Sequence, residues 1–365
     1  MKTIIFIPPN GNLKKHDFSL NRIVKEFSKY SRINCILLYI SKEKETYNDS
    51  NYDNIIKVKS TKELFKNLNT LKYDIIFSRS WMHAYSFSAE LVKKFDNVIV
   101  NIKDWNFSKK KEYRFLFGND DDFDAIKYIF KNAKKVLSHY TSDQAKIWAK
   151  KYNVSKDKFI FFPEYCNSFD TEIPSSRKKN RIVFAGAFSK SSYPIKFFVS
   201  KDMYRTIKVI TKQSLNLDYI FPPKFYDSLN HLDYQDFLFE NEFNKYFNIK
   251  KGEELNHKII NNYGYSIFSP FINKYRNKKL FKYAVPSKFA FYLEANLPII
   301  VNKEMKSLSK LVTKYGLGIV VSNKDIKNLK NIIKNKDYDK IVRNIIQYKK
   351  KFSYKNIKLE KLLCN

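Results

Sequence analysis

Nothing constrains the fold of this chain more than a repeated pattern: short runs that are apolar throughout, each followed by residues at helical spacing. TIIFI (3–7), INCILLYI (33–40), DIIFS (74–78) and NVIVNI (97–102) are such runs, with the shorter NIIKVKS (54–60) among them. Between them Leu20, Ile23, Val24 and Phe27 recur at three- and four-residue intervals, and ELFKNLNTL and FSAELVKKF read as helices too. A strand with one wet face alternates apolar and polar residues, whereas a strand apolar on both faces must be covered on both. Such strands alternating with helices predict a parallel sheet between helix layers, an α/β fold of the Rossmann-like kind.

The pattern continues through KKVLSHY (134–140), a helix from about Ser142, and the strand KFIFFP (158–163). TEIPSSRKKN (171–180) is polar, contains proline and reads as a linker. The βα alternation then restarts at RIVFAGAF (181–188), with helices near 201–212 and 253–263 and the strand YSIFS (265–269). The stretch PSKFAFYLEANLPIIV (286–301) is a helix that drops into a buried strand. In KSLSKLVTKYGLGIVVS a helix is stopped by Gly316 before another strand. The reading is a domain over 1–170, a linker over 171–180, a second domain over 181–345 and a basic helical segment over 346–365. Two Rossmann-like halves of this kind are expected to face each other across a cleft at the carboxyl ends of their strands.

With 365 residues and 44% hydrophobic content there is apolar material for two cores. The formal charge of +33 favours anionic ligands and anionic membrane surfaces. The lysines are spread along nearly the whole chain, and no arginine-rich block, zinc-knuckle spacing or aromatic-plus-basic RNA motif occurs, so nucleic acid is not an expected partner. Cys35, Cys166 and Cys364 lie far apart, which fits a reducing compartment and offers no metal site. MKTIIFIPPNG is too short in apolar residues for a signal peptide, and no run approaches the ~20 residues of a membrane span. These features place the protein in the cytoplasm, soluble or peripheral on the inner face of a membrane.

Three pieces make the sequence recognisable: AKKVLSHYTSDQAKIWAKKYNVSKDKFIFFPEYCN, RIVFAGAFSK, and VPSKFAFYLEANLPIIVNKEMKSLSKLVTKYGLGIVV. In this order they resemble the GT-B glycosyltransferases, above all family 4 and related enzymes of surface-glycan synthesis that use nucleotide-activated sugars. The third piece is the specific one. The resemblance implies an N-terminal acceptor-side domain and a C-terminal domain that holds a nucleotide-diphosphate sugar. It also implies a probe-able chemistry: transfer of the sugar, retaining by analogy with family 4, to a growing glycan or lipid-linked acceptor, without a metal or other cofactor.

On that reading the start of the 286–301 helix is a diphosphate seat. A helix start exposes N–H groups and partial positive charge, Ser287 is a good N-cap residue, and Lys288 is an uncomfortable cation in a first turn unless an anion docks there. Gly11 and Gly186 each follow the first strand of a half, where a tight βα turn brings backbone close to a ligand, though neither lies in a GxGxxG pattern. Ser189 and Lys190 follow Gly186 and could reach the diphosphate; Ala187 stands where the family carries arginine. Many family 4 enzymes have two glutamates with seven residues between them, which fall here at Tyr283 and Phe291. Glu294 is expected to point away from the Phe291 position, as a solvent-facing or interface residue.

For the acceptor side, Asn10 belongs to the loop of Gly11, and Arg79, Trp81 and His83 follow the fourth strand. Lys103 and Asp104 close NVIVNI, where the family often carries a histidine, and Asp104 could act as base if the reaction inverts. His83, Lys103 and Asp104 are the candidate catalytic residues, although a lone histidine in such a loop is more often structural. NDDDFD (119–124) suits the acidic first turn of a helix better than a metal site. Two further readings stay open: a GT-B epimerase or glycan phosphorylase, and an inactive relative that binds nucleic acid or anionic lipid.

Overall fold

A computed structural model describes residues 1–12, 18–30, 32–43, 47–103, 105, 110–117, 121–186, 200–227, 229, 234–252, 257–268 and 281–357. The chain divides into two compact units, Met1–Pro163 with Tyr354–Asn365, and Glu164–Ser353.

In unit 1 the described strands are β1 (Lys2–Ile7), β2 (Ile33–Ile40), β3 (Asn54–Val58), β4 (Ile75–Ser80), β5 (Val98–Ile102), β6 (Lys135–Ser138) and β7 (Phe159–Phe161). They form one sheet in the order β3-β2-β1-β4-β5-β6-β7, with every pair parallel. The apolar runs read from sequence are these strands. Ile4 to Ile7, Ile75 to Ser80 and Val98 to Ile102 are buried without interruption, as a sheet covered on both faces requires. Phe6, Phe27 and Phe77 meet ring to ring in its centre, with centroids 5.4–6.5 Å apart. The chain returns to this unit at its far end: Tyr354 is 1% exposed, its ring lies 6.0 Å from that of Phe162, and its turn (Tyr354–Asn356) packs on the helix Phe18–Phe27.

Unit 2 holds β8 (Lys178–Ala185), β9 (Asn216–Phe221), β10 (Phe247–Lys251), β11 (Tyr263–Ile267), β12 (Ile299–Asn302) and β13 (Gly318–Val321). Their order is β10-β9-β8-β11-β12-β13, again parallel throughout. β8 begins at Lys178, inside the stretch read as linker, and the helix expected over 253–263 is described only as His257–Ile260.

Two strands escaped the sequence reading, β9 (NLDYIF) and β10 (FNIKK), because polar residues interrupt both. Asp218 of β9 is fully buried, and four neighbours satisfy it: Arg181 at 2.6 Å, Lys250 at 2.7 Å, Tyr263 at 2.5 Å and Asn248 at 3.1 Å. Burial alone would raise its carboxyl, but hydrogen bonds from Lys250, Tyr263 and Asn248 outweigh that and hold its pKa below the usual value.

Each sheet reverses its strand order once, between β1 and β4 in unit 1 and between β8 and β11 in unit 2. Loops leaving the strands on either side of such a reversal run in opposite directions and open a crevice at the carboxyl ends. The described candidate residues lie at these two edges.

Candidate active site at the carboxyl ends of the sheets

In unit 2 the site is built on the helix Lys288–Glu294, which lies between β11 and β12. Phe289 to Glu294 are all buried, so the helix is apolar around most of its girth and fixed in the domain. Tyr292 does the fixing. Its hydroxyl accepts the Ala185 N–H at 3.1 Å and donates to the Ile267 carbonyl at 3.3 Å, joining the last turns of β8 and β11. Lys288 is four residues earlier and therefore on the same helix face, one turn closer to the edge.

Lys288 lies across Gly186. The Gly186 φ of 119° suits glycine, and a Cβ there would stand 2.5 Å from Lys288 Cε. The ammonium sits 3.7 Å from the centroid of the Phe184 ring, a cation–π contact within the last strand turn. Burial pushes the pKa of this amine down to about 7. The residue keeps partial exposure, and its amine is less basic than that of a surface lysine. Gly186 and Lys288, assigned separately from sequence, thus form one feature.

Ser287 departs from expectation. It is exposed, its backbone is already helical (φ −53°, ψ −34°), and its hydroxyl caps nothing. The Phe289 N–H bonds to the Pro286 carbonyl at 2.9 Å, so the turn starts before Ser287, and an N-cap requires extended backbone.

Glu294 is a second correction. It is 1% exposed, and Oε1 accepts the N–H groups of Asn167 (2.6 Å) and Ser168 (3.2 Å). Three residues turn a helix by about 300°, which leaves Glu294 only about 60° from Phe291 and on the packed side. Its carboxylate orders the segment entering unit 2. Asn296, at φ 53°, ends the helix ahead of Leu297-Pro298, and Arg177 donates to the carbonyls of Ala295 (2.9 Å), Asn296 (2.8 Å) and Asn261 (2.7 Å). Tyr292 and Arg177 were missed from sequence. The four-residue spacing from Lys288 was the available signal for Tyr292; nothing local marked Arg177.

In unit 1 the turn after β1 is Pro9–Gly11, with Asn10 at φ 55° and Gly11 at φ 70°. A Cβ on Gly11 would stand 2.8 Å from Ile40 Cδ1 and 3.1 Å from Leu64 Cδ1, so core packing accounts for this glycine. Arg79, expected after the fourth strand, is buried within β4, its guanidinium 5.8 Å from the Trp81 ring; beyond β4 the chain reaches exposed His83 at φ 69°. Asn10 Nδ2 donates to the His83 carbonyl at 2.9 Å, and the His83 N–H donates to Asp122 Oδ2 at 2.7 Å. Lys103 follows β5; its Nζ donates to Ser19 Oγ at 3.2 Å, and its carbonyl accepts the Tyr85 hydroxyl. The edge therefore gathers Asn10, Gly11, His83 and Lys103 in one unit. His139, beyond β6, was not anticipated; its ring lies 4.3 Å from that of Tyr140. Asp104, Ser189 and Lys190 lie outside the described residues.

The acidic run behaves as a helix start. Asp121, Asp122 and Asp124 fall in the first turn of the helix Asp121–Asn132; Asp124 pairs with Lys110 at 2.8 Å, while Asp122 is buried beneath the His83 turn. Asn119 and Asp120 lie outside the described residues. Among the described residues no group of three or more His, Cys, Asp or Glu side chains could hold a metal ion.

The fold of two parallel sheets matches known structures over nearly their full length. HepE from Anabaena, in complex with UDP, has a TM-score of 0.63 at 13% identity, covering 99% of this chain and 98% of that one. The chain has the GT-B fold. WaaG, a glycosyltransferase involved in lipopolysaccharide biosynthesis, shares it with a TM-score of 0.57 at 10% identity, over 96% of this chain and 95% of that one. So does the UDP-GlcNAc 2-epimerase from Methanocaldococcus jannaschii, with a TM-score of 0.50 at 12% identity, over 95% and 100%. Residues 216–357 match the family model of the glucosyltransferase 3-like C-terminal domain, which includes the Lys288 helix of this GT-B chain. No curated protein matches the chain in sequence.

Proposed function

We propose that this protein is a glycosyltransferase that moves a hexosyl group, glucose first among candidates, from a uridine diphosphate donor to a hydroxyl of a glycan or lipid-linked acceptor. One observation carries the reading: Lys288 is seated across Gly186 at the strand-order reversal of unit 2, within the stretch that matches the glucosyltransferase domain model. HepE has been seen with UDP-glucose, which makes that sugar nucleotide the first donor to test.

In this reaction the bond between the sugar C1 and the diphosphate oxygen breaks, and its electron pair leaves with the diphosphate. Lys288 stands where that charge grows, and a desolvated ammonium stabilises it more than a hydrated one does. The acceptor oxygen bonds to C1 and its proton is released, to the departing phosphate if configuration is retained. We read the reaction as retaining; product anomeric configuration by NMR decides it. His83 and Lys103 are the acceptor-side groups in this scheme, with Asp104 next in sequence. Ser189 and Lys190 assist at the diphosphate, and the Gly11 turn lines the acceptor edge.

The reading requires no metal, since Asp122 and Asp124 are engaged in structural contacts. Turnover lost in EDTA and restored by Mg²⁺ would count against it. Peripheral association with anionic membranes follows from the +33 charge, with no described helix long and apolar enough to cross a bilayer. Vesicle flotation that fails to distinguish anionic from neutral lipid at low salt removes that part.

The central experiment is calorimetric titration of UDP and of uridine into wild type and Lys288→Ala. Loss of a charge-assisted hydrogen bond should weaken UDP by about 10- to 100-fold and leave uridine unchanged. Equal losses for both ligands, or none, would refute the seat. An epimerase would instead interconvert UDP-sugars without releasing UDP.

A further inference from the structure

The edge of unit 1 contains a feature that the donor seat does not explain. Two residues other than glycine, Asn10 (φ 55°) and His83 (φ 69°), adopt left-handed backbone at the ends of the adjacent strands β1 and β4. Asparagine tolerates this conformation well and histidine less so; such residues persist where their surroundings hold them. Here the surroundings are visible. The His83 carbonyl accepts from Asn10 Nδ2 at 2.9 Å, and the His83 N–H donates to Asp122 Oδ2 at 2.7 Å. The other carboxylate oxygen of Asp122 takes the Ser86 N–H at 3.3 Å, and the Tyr113 hydroxyl donates to Oδ2. Asp122 and Tyr113 are 3% and 0% exposed, so this brace is inside the protein while the His83 side chain is outside. Tyr85, two residues on, binds the Lys103 carbonyl, which ties the end of β5 into the same assembly.

We infer that Asn10 and Asp122 are positioning residues for His83, clamping its peptide on both sides so that the imidazole is presented in one place at the carboxyl edge of unit 1. This rests on the reading of His83 as an acceptor-side group. A buried carboxylate that binds two N–H groups of one turn, and a side-chain amide from the neighbouring strand end, leave the backbone of that turn little freedom. The same bonds would serve no purpose for a surface histidine that merely faces water, where a glycine or asparagine turn gives the same path without strain. His83 would then orient the acceptor by donating a ring N–H to an oxygen beside the attacking hydroxyl, whose own proton goes to the departing phosphate, and misplacing the ring by an ångström would cost rate rather than donor binding.

The test uses Asn10→Gly, which permits φ 55° freely and removes only the clasp, with His83→Ala and the double variant Asn10→Gly/His83→Ala. Ring NMR of the five histidines gives a readout independent of turnover. The His83 signal, assigned by its loss in His83→Ala, should shift or broaden in Asn10→Gly while the other ring signals hold still. With UDP-glucose and the best acceptor from a glycan panel, Asn10→Gly should lower kcat by about tenfold or more with KM for UDP-glucose unchanged. The same change should have no further effect once His83 is alanine. An unaltered His83 signal, or an Asn10→Gly effect that persists in the His83→Ala background, overturns the inference and makes the clasp purely structural. Wild-type turnover in His83→Ala refutes the role given to His83. Absence of UDP binding by the wild type refutes the donor reading instead, and the NMR result still decides whether the clasp holds the ring.

Discussion

At the end of β1 the chain turns through Gly11 and at the end of β8 through Gly186, and the two glycines answer to different neighbours. A side chain at Gly11 would run into Ile40 and Leu64, which are core; a side chain at Gly186 would run into Lys288, the residue proposed as the diphosphate seat. On the proposed reading, the same place in the same strand order carries a packing constraint in one unit and a binding constraint in the other. The edges differ in method as well. Unit 1 fixes backbone with Asn10, Asp122 and Tyr85, whereas unit 2 fixes a helix with Tyr292 and lets burial set the basicity of one amine. A glycine after the first strand of a Rossmann-like half is therefore not a ligand signal until its neighbour is known.

The sharpest way to break this contrast is to place valine at both turns. Gly11→Val should cost about 3–4 kcal/mol in unfolding free energy, from left-handed strain plus overpacking, with UDP affinity unchanged in the folded protein. Gly186→Val should cost UDP affinity, about 100-fold, as Lys288 is displaced, beyond whatever strain it adds to folding. Urea unfolding and UDP titration on both variants decide it, and a Gly11→Val protein that loses UDP affinity erases the distinction.

Next in size is a site in unit 2 where charge is structural. Asp218→Ala strands Arg181 and Lys250, but both keep partial exposure, so the expected loss is about 3 kcal/mol, the low end for a broken buried pair. Because the folded carboxyl is held below its usual pKa, this contribution is present above the unfolded value of about 3.9 and fades as pH falls through the folded one. Wild type and Asp218→Ala should converge in acid. A constant gap from pH 7 downward would show that the loss is packing alone.

Lys288 gives the opposite sign. Its folded pKa lies below that of an unfolded lysine, so above about pH 7 the folded state holds fewer protons and stability rises with pH. Bound diphosphate favours the charged amine, so binding takes up a proton. UDP affinity should then fall by up to about tenfold per pH unit above neutrality, and Lys288→Ala should be flat. Calorimetry in buffers of different ionisation enthalpy measures that proton directly. The smallest effect belongs to Ser287→Ala, which should change stability by less than about 0.5 kcal/mol and UDP affinity not at all, because its hydroxyl caps nothing.

Most of the fold was legible because burial on both faces writes itself as unbroken apolar runs, from TIIFI to PIIV. β9 and β10 were not, because Asp218 and its cations cancel one another only across three strands, and a window of one strand sees only the polar residues. Lys288 and Gly186 could be found from the clash between a cation and a helix start and from the scarcity of glycine. The His83 clamp could not, since Asn10 and Asp122 lie 73 and 39 residues from it and bind its backbone, which carries no sequence signature. Glu294 was misjudged through the helix angle, not through missing information.

Tyr354, closing unit 1 against Phe162 and the helix Phe18–Phe27, sets a timetable for biosynthesis. The ribosome finishes residue 163 and must then make Glu164–Ser353 before Tyr354 exists. At about 5–20 residues per second that interval is roughly 10–40 s. Throughout it the nascent unit 1 carries an uncapped aromatic surface, a binding opportunity for chaperones and a period of exposure to aggregation. Pulse-labelled chains arrested before residue 354 should be cleaved by protease within unit 1 at sites that chains extended beyond residue 357 protect.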